Sequence, residues 1–117
     1  MKVLLLHPNS QMRHIIQVGI PDHEFKAVGT RTDFYGELDS DTSYDALVIT
    51  NDLGAAKGVD VLDTVRTDEM YQRWANTRAA VISGHPEAIR SRVEAWGDTV
   101  VFSIETGTQL RAFFAKL

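Results

Sequence analysis

The stretch that decides the fold is Lys2–Ser10, KVLLLHPNS, in which an uninterrupted apolar run, Val3–Leu6, ends at His7 and Pro8. A continuous apolar run of this length predicts a strand that is buried on both faces, as the strands of parallel sheets are. In such sheets, ligands bind at the carboxyl ends of the strands. His7 and Pro8 therefore occupy a position where a functional site is expected.

Four further apolar runs of strand length follow. They are Phe25–Val28, Ala46–Ile49, Ala79–Ile82 and Val100–Phe102. Most of the intervals between runs are long enough for a helix, which predicts alternating strands and helices. Right-handed crossovers and the small size favour a flavodoxin-like, three-layer α/β/α sandwich with five parallel strands in the order 2-1-3-4-5. We expect a single domain over residues 1–117, because a chain of this length builds one core.

The intervals predict helices of unequal regularity. Asp33–Leu38 predicts the weakest helix, because loop-forming residues follow it. The fourth interval predicts the best-marked helix, since Pro86 suits a first helical position and apolar residues follow at helical spacing. The third interval carries a mixed helical stripe that extends to Trp74. We expect Trp74 to pack in the core, although an exposed Tyr71–Trp74 pair would suit a binding hot spot.

Composition excludes several classes of function. A net charge of −4, with scattered basic residues, leaves no electrostatic footprint for nucleic acid or an anionic membrane. The chain has no cysteine, which excludes disulfides, a thiol nucleophile and thiolate metal ligands. The first apolar run is too short for a secretory signal or a membrane span, so a cytoplasmic location is expected.

The loops that follow strands one, three, four and five meet at one edge of the predicted sheet. They carry His7, Pro8, Asn9, Thr50, Asn51, Asp52, Ser83, Gly84, His85 and Ser103. Histidine titrates near neutrality, but we expect His7 to cap its strand by hydrogen bonding. The two histidines with Asp52 are of the types that ligate zinc, without the spacing of a local metal motif. Ser83, His85 and Asp52 include the members of a hydrolytic triad, but the chain has no Gly-x-Ser-x-Gly elbow.

Four segments together resemble the receiver domains of bacterial two-component response regulators, the CheY-like fold. They are Ser10–Arg13, Tyr44–Ile49, Gly58–Arg66 and Val81–Ser83, in the family's order and spacing. The resemblance covers essentially the whole chain. It implies a family whose members transfer a phosphoryl group to an aspartate with the help of a divalent metal.

The residues that this chemistry needs are missing here. The resemblance places the family's carboxylate pair at His7 and Pro8, and its acceptor aspartate eight residues before Gly58, at Thr50. Asp52 lies two residues further on and would serve as the acceptor only if the loop after the third strand shifted its register. The family's lysine falls at Ser103 or the adjoining Ile104, and only Ser83 keeps its family identity. Losing the pair, the acceptor and the cation together removes the charge stabilisation that phosphoryl transfer requires.

The resemblance therefore implies a pseudo-receiver that is not an enzyme and holds no metal or cofactor. We expect a phosphorylation-independent interaction module of bacterial signalling or regulation that binds a regulatory protein partner, with a homodimer as one form of the assembly. The family's usual interaction face would here include Arg90, Arg92, Glu94, Glu105, Gln109 and Arg111. The alternative is a protein that binds a small ligand or metal in the strand-end crevice, through His7, Asp52, Ser83 and His85.

Overall fold

The computed structural model describes residues 1–20, 22–96, 99–103 and 107–115. The strands are β1 (Lys2–Leu6), β2 (Glu24–Val28), β3 (Ala46–Thr50), β4 (Arg78–Ser83) and β5 (Thr99–Ser103). The helices are α1 (Ser10–Gly19), α2 (Arg31–Leu38), α3 (Gly58–Thr67), α4 (Arg90–Glu94) and α5 (Gly107–Ala115). All strand pairs are parallel, in the order β2-β1-β3-β4-β5, which confirms the predicted architecture. In the described part of the chain, no helix has the length and apolarity to cross a membrane.

The sheet separates two hydrophobic cores. Because successive side chains of a strand point to opposite faces, Leu4 and Leu6 face α2, α3 and α4, while Val3 and Leu5 face α1 and α5. All four side chains are fully buried. The apolar run that opens the chain is thus continuous because both faces of β1 are covered, as the sequence predicted.

Helix α2, predicted to be the weakest, is regular over its eight residues. Thr30 caps it, since its hydroxyl accepts a hydrogen bond from the Asp33 N–H at 3.1 Å. Phe34 and Leu38, four residues apart, are both buried against the sheet. A good cap and two large anchors on one face outweigh the polar residues that surround them.

The helix predicted to be the best marked is instead broken in two. Pro86–Ala88 form a 3₁₀ turn, Ile89 leaves the helical region with φ −123° and ψ −3°, and α4 then runs for only five residues. Pro86 does take the first position, as predicted. Val93 is the only residue of α4 that is buried, so little apolar contact enforces a regular helix in this segment.

The stripe that extends to Trp74 is also divided. Helix α3 ends at Thr67, and a 3₁₀ helix, Glu69–Trp74, follows. Tyr71 and Trp74 are both buried, so they are not an exposed binding pair, and the predicted core role of Trp74 is confirmed. The Trp74 Nε1–H donates to the carbonyl of Leu38 at 2.9 Å, which ties this helix to the end of α2.

Arg66, near the end of α3, holds the connection to β4 in place. Its guanidinium donates to the carbonyls of Trp74 at 2.8 Å, Ala75 at 2.9 Å and Thr77 at 2.5 Å. It also donates to the hydroxyl of Thr99, on β5, at 3.0 Å. One side chain therefore satisfies several backbone acceptors of the α3–β4 connection and links them to the edge of the sheet.

Candidate functional site

The register of the sheet brings the predicted site residues to one edge. Leu6 pairs with Ile49, so His7 follows β1 beside the end of β3, where Thr50 pairs with Ile82 on β4. Ser83 in turn pairs with Ser103, whose side chain lies outside the described part. His7, Thr50, Ser83 and the backbone of Ser103 therefore end four neighbouring strands, as predicted.

His7 is buried, and its imidazole takes part in the turn that leads into α1. Its Nδ1 accepts a hydrogen bond from the Asn9 N–H at 3.1 Å, and its own N–H donates to the carbonyl of Val28 at 3.0 Å. The predicted hydrogen-bonding role at the strand end is thus confirmed. The second ring nitrogen, Nε2, is buried and has no hydrogen-bond partner among the described residues. Pro8 is exposed.

Burial and a neighbouring cation keep His7 uncharged. Burial lowers the pKa of His7 below its ordinary value of 6.5, the Arg13 guanidinium lowers it further, and the Asp52 carboxylate opposes them with a smaller effect. Near neutral pH the ring is therefore neutral. Since Nδ1 accepts from Asn9, the single ring proton belongs on Nε2.

Arg13 is a member of this edge that sequence reasoning did not place there. From the first turn of α1 it reaches back to donate from Nη1 to the carbonyl of His7 at 2.6 Å. Gly29, which follows β2, leaves room for the guanidinium, because a Cβ there would lie 2.7 Å from Nη1. A glycine directly after a strand was the signal in the sequence that something packs against the backbone at this point.

The loop between β3 and α3 fixes which residue ends β3. Thr50 is buried at the end of β3. The Gly58 N–H donates to the Asn51 carbonyl at 2.8 Å, and Asn51 Oδ1 accepts from the Val59 N–H at 3.0 Å. Asn51 thus caps α3, where the preceding Lys57 supplies no side-chain cap. Sequence reasoning missed this role, because the capping residue lies outside the usual local window.

Asp52 does not lie at the end of β3. It is exposed, it forms an isolated antiparallel bridge with Lys57, and its Oδ1 accepts a hydrogen bond from the Gly54 N–H at 3.2 Å. Gly54 supports this turn with a φ of 81°, a conformation that side chains disfavour. The loop therefore has the register in which Thr50, and not Asp52, ends β3.

The two remaining polar residues of the edge differ in exposure. Ser83 is buried and its hydroxyl accepts a hydrogen bond from the His85 N–H at 3.0 Å, whereas the His85 side chain is exposed. Within the described residues, which include His7, Asp52 and His85, no group of three possible metal ligands occurs. The geometry therefore adds no support to the zinc alternative.

The charged residues predicted to form an interaction face point in different directions. Arg90 pairs within its own segment, with Glu87 at 2.9 Å and Glu94 at 3.6 Å. Arg92 instead crosses to α3, where it contacts Asp60 at 2.8 Å. On the exposed surface of α4, the charge of Arg90 is thus neutralised by its acidic neighbours, and Arg92 joins α4 to α3.

The predicted members of this face that follow β5 are only partly described. Glu105 lies outside the described residues, and Gln109 lies on α5 with its side chain outside them. Arg111 is exposed and lines a cavity of about 310 Å³ with Asp22, His23 and Phe114, between the ends of α1 and α5. It therefore faces α1.

Comparisons with solved structures agree with this architecture. The chemotaxis response regulator CheY4 of Vibrio cholerae is similar with a TM-score of 0.80 and 15% identity, over 99% of this chain and 98% of that one. The response regulator TrrA of Thermotoga maritima, solved in complex with Mg²⁺-BeF, is similar with a TM-score of 0.77 and 14% identity, over 98% of this chain and 96% of that one. An adenylate cyclase structure from Rhodopirellula baltica is similar with a TM-score of 0.80 and 9% identity, over 97% of this chain and 84% of that one.

No family model matches the chain, and no curated protein is similar to it in sequence. At identities this low the structural likeness establishes architecture and not activity. The strand order and the near-complete coverage of both chains lead to the same conclusion. The chain has the fold of the response-regulator receiver domains.

Proposed function

We propose that the protein is a pseudo-receiver, a signalling module that binds a regulatory protein without being phosphorylated and without catalysing a reaction of its own. The observation that carries the proposal is the replacement of acidic residues at the carboxyl edge of the sheet. His7 and Pro8 stand where the resemblance places the carboxylate pair, and a buried Thr50 stands at the acceptor position. A threonine hydroxyl cannot form an acyl phosphate.

The charge of the edge also argues against a divalent metal. Magnesium is held by carboxylate and other oxygen ligands. Here the end of β1 presents a buried imidazole and the Arg13 guanidinium, which donates to the His7 carbonyl. A cation at this position would face the positive charge of Arg13, and among the described residues Asp52 is the carboxylate that opposes that charge at His7.

A module with no phosphorylation chemistry acts through its surface. We propose that the partner binds the face built from α4, β5 and α5, to which Arg90 and Glu94 contribute an ion pair of 3.6 Å. Mixed charge favours specific pairing over bulk electrostatic attraction. Homodimerisation through the same face stays a prediction, and sedimentation equilibrium over a range of protein concentrations tests it.

The decisive experiment is a titration with magnesium and beryllofluoride, followed by backbone amide NMR. We expect the resonances of Thr50, Asn51 and Asp52 to stay unshifted. TrrA, whose structure contains Mg²⁺-BeF, is the positive control. Incubation with acetyl phosphate and magnesium, followed by intact-mass spectrometry, should add no phosphoryl group. Saturable, magnesium-dependent shifts or a phosphorylated species would overturn the proposal.

An Asp52→Asn variant makes the same experiment diagnostic. If the wild-type chain were phosphorylated and this variant were not, Asp52 would be the acceptor and the loop would have reset in solution. The substitution keeps the carbonyl oxygen that accepts from Gly54, so the turn is expected to stay intact. Identical behaviour of the two proteins, with no adduct in either, agrees with the proposal.

A further inference from the structure

The carboxyl end of β1 holds hydrogen-bond donors that lack acceptors. His7 is only 7% exposed, and its Nε2 has no hydrogen-bond partner among the described residues. Because Nδ1 accepts from the Asn9 N–H, the neutral ring carries its proton on Nε2, which is therefore a donor. A buried N–H left unpaired costs free energy, so an acceptor that reached this atom would be stabilising; because Nε2 has no exposed surface, the neighbouring side chains must shift to admit it.

A positive charge lies close enough to His7 to lower the pKa of its ring. Arg13 uses Nη1 to bond the His7 carbonyl at 2.6 Å, and its guanidinium lies against Gly29, where a Cβ would come within 2.7 Å. No hydrogen-bond acceptor for its Nε and Nη2 occurs among the described residues. The guanidinium is thus held in place at one nitrogen, while its other N–H groups stay available.

The two groups together define the chemistry of a ligand. A guanidinium and a neutral imidazole N–H are both donors, and neither accepts. Charge-assisted bonds from arginine to phosphate or carboxylate are among the strongest hydrogen bonds in proteins. The Asp52 carboxylate, which opposes the lowering of the His7 pKa, is exposed, and its Oδ1 accepts from the Gly54 N–H.

We propose that the edge formed by His7 and Arg13 binds a small oxyanion non-covalently, with phosphate as the model ligand. The polarity of the site is then the reverse of an acidic magnesium site: donors and a cation replace the carboxylates. The Nε2–H of His7 and the free N–H groups of Arg13 donate to oxygens of the anion. This binding is independent of the proposed partner face and needs neither magnesium nor a covalent bond.

Titration of the full chain with inorganic phosphate in magnesium-free buffer tests the proposal. Backbone amide NMR should show saturable shifts at His7, Asn9 and Gly29, and the His7 side-chain nitrogen spectrum should show a change at Nε2. Sulfate and acetate distinguish a preference for tetrahedral oxyanions from one for carboxylates. Chloride at matched ionic strength is the control for screening.

Substitutions separate the two donors. Arg13→Gln removes the charge, and His7→Asn keeps an acceptor near the Asn9 N–H while it removes the Nε2–H. Each should weaken phosphate binding by about tenfold or more, since a charge-assisted or buried hydrogen bond is lost. Asp52→Asn should strengthen binding by severalfold, because a repelling charge is lost. Lys26→Gln removes an exposed cation from β2 and should leave the affinity within about twofold of wild type.

The outcomes are distinguishable from those of the proposed function. Absence of saturable shifts in the wild-type protein with any of the three oxyanions overturns the oxyanion site, and it does so without depending on whether a variant folds. Equal weakening by Lys26→Gln and Arg13→Gln overturns it as well, because the binding would then be diffuse. A covalent phosphoryl adduct that needs magnesium would overturn the pseudo-receiver instead.

Discussion

Replacing Gly58 with alanine tests how firmly the loop between β3 and α3 is held. A Cβ at this position would lie 2.2 Å from the Thr50 carbonyl oxygen, 2.9 Å from the Thr50 carbonyl carbon and 2.8 Å from Ile49 Cγ2. Two of these atoms belong to the backbone of a central strand, which cannot rotate aside. The Gly58 N–H is also bonded to the Asn51 carbonyl at 2.8 Å, so the start of α3 has little freedom to retreat.

The clash should cost roughly 1–3 kcal/mol of unfolding free energy, the range for overpacking a well-packed site, or more if the strand backbone cannot yield. Alanine also has less conformational entropy than glycine in the unfolded chain, which offsets about 0.5–1 kcal/mol of the loss in unfolding free energy. Gly36→Ala is the matched control, because no atom lies within 4 Å of a Cβ there and the residue is inside α2. That variant should gain about 0.4–1 kcal/mol.

Urea unfolding followed by circular dichroism gives both free energies, and unchanged slopes would show that the two variants unfold from comparable states. We expect Gly58→Ala to be less stable than wild type and Gly36→Ala to be more stable. A Gly58→Ala protein as stable as wild type would refute the close approach of α3 to β3. It would also reopen the register that places Thr50 at the end of the strand.

Two further predictions concern side chains that hold the edge and the α3–β4 connection. Because the pKa of His7 is lowered in the folded state, the unfolded chain binds more protons just below pH 6.5, so the unfolding free energy should fall as the pH drops from 6.5 toward the folded-state pKa. His7→Asn should flatten that part of the urea-measured pH profile, and an unchanged profile would assign the effect to other groups. The Arg66→Lys variant should lose about 2–4 kcal/mol of unfolding free energy, because an ammonium cannot donate to four acceptors in fixed directions. The control is Arg73→Lys, which lies at a more exposed site and should lose less. Equal losses in the two variants would contradict the assigned role of Arg66.

The sheet was predictable from the sequence because its signal is local. The runs Val3–Leu6 and Ala46–Ile49 are buried on both faces, so their apolar residues are continuous and can be recognised without knowing which elements pack against them. Helix regularity was not predictable in this way. The segment Asp33–Leu38 has many polar residues, yet Phe34 and Leu38 pack into the hydrophobic core. The segment after Pro86 has a good helix-start signal but few buried contacts. Tertiary packing decided both cases.

The site was predictable in position but not in its contacts. Strand ends identified His7, Thr50 and Ser83, since parallel strands bring their carboxyl ends to one edge. The contributions of Asn51 and Arg13 depend on side chains that reach across loops, from Asn51 to the start of α3 and from Arg13 back to the His7 carbonyl. No spacing rule covers such contacts, and only the glycines that make room for them mark the sequence.

These glycines connect the two functional arguments. Gly58 lets the start of α3 lie against the Thr50 carbonyl, while the Asp52 carboxylate lies in an exposed turn and accepts from the Gly54 N–H. Gly29 admits the Arg13 guanidinium to the end of β1, where it bonds the carbonyl of a buried, neutral His7. The strand ends beside these glycines thus carry a buried Thr50 and the Arg13 cation, and the Asp52 carboxylate lies in the turn. In the proposed site, the cation that would attract an oxyanion would also oppose a divalent metal.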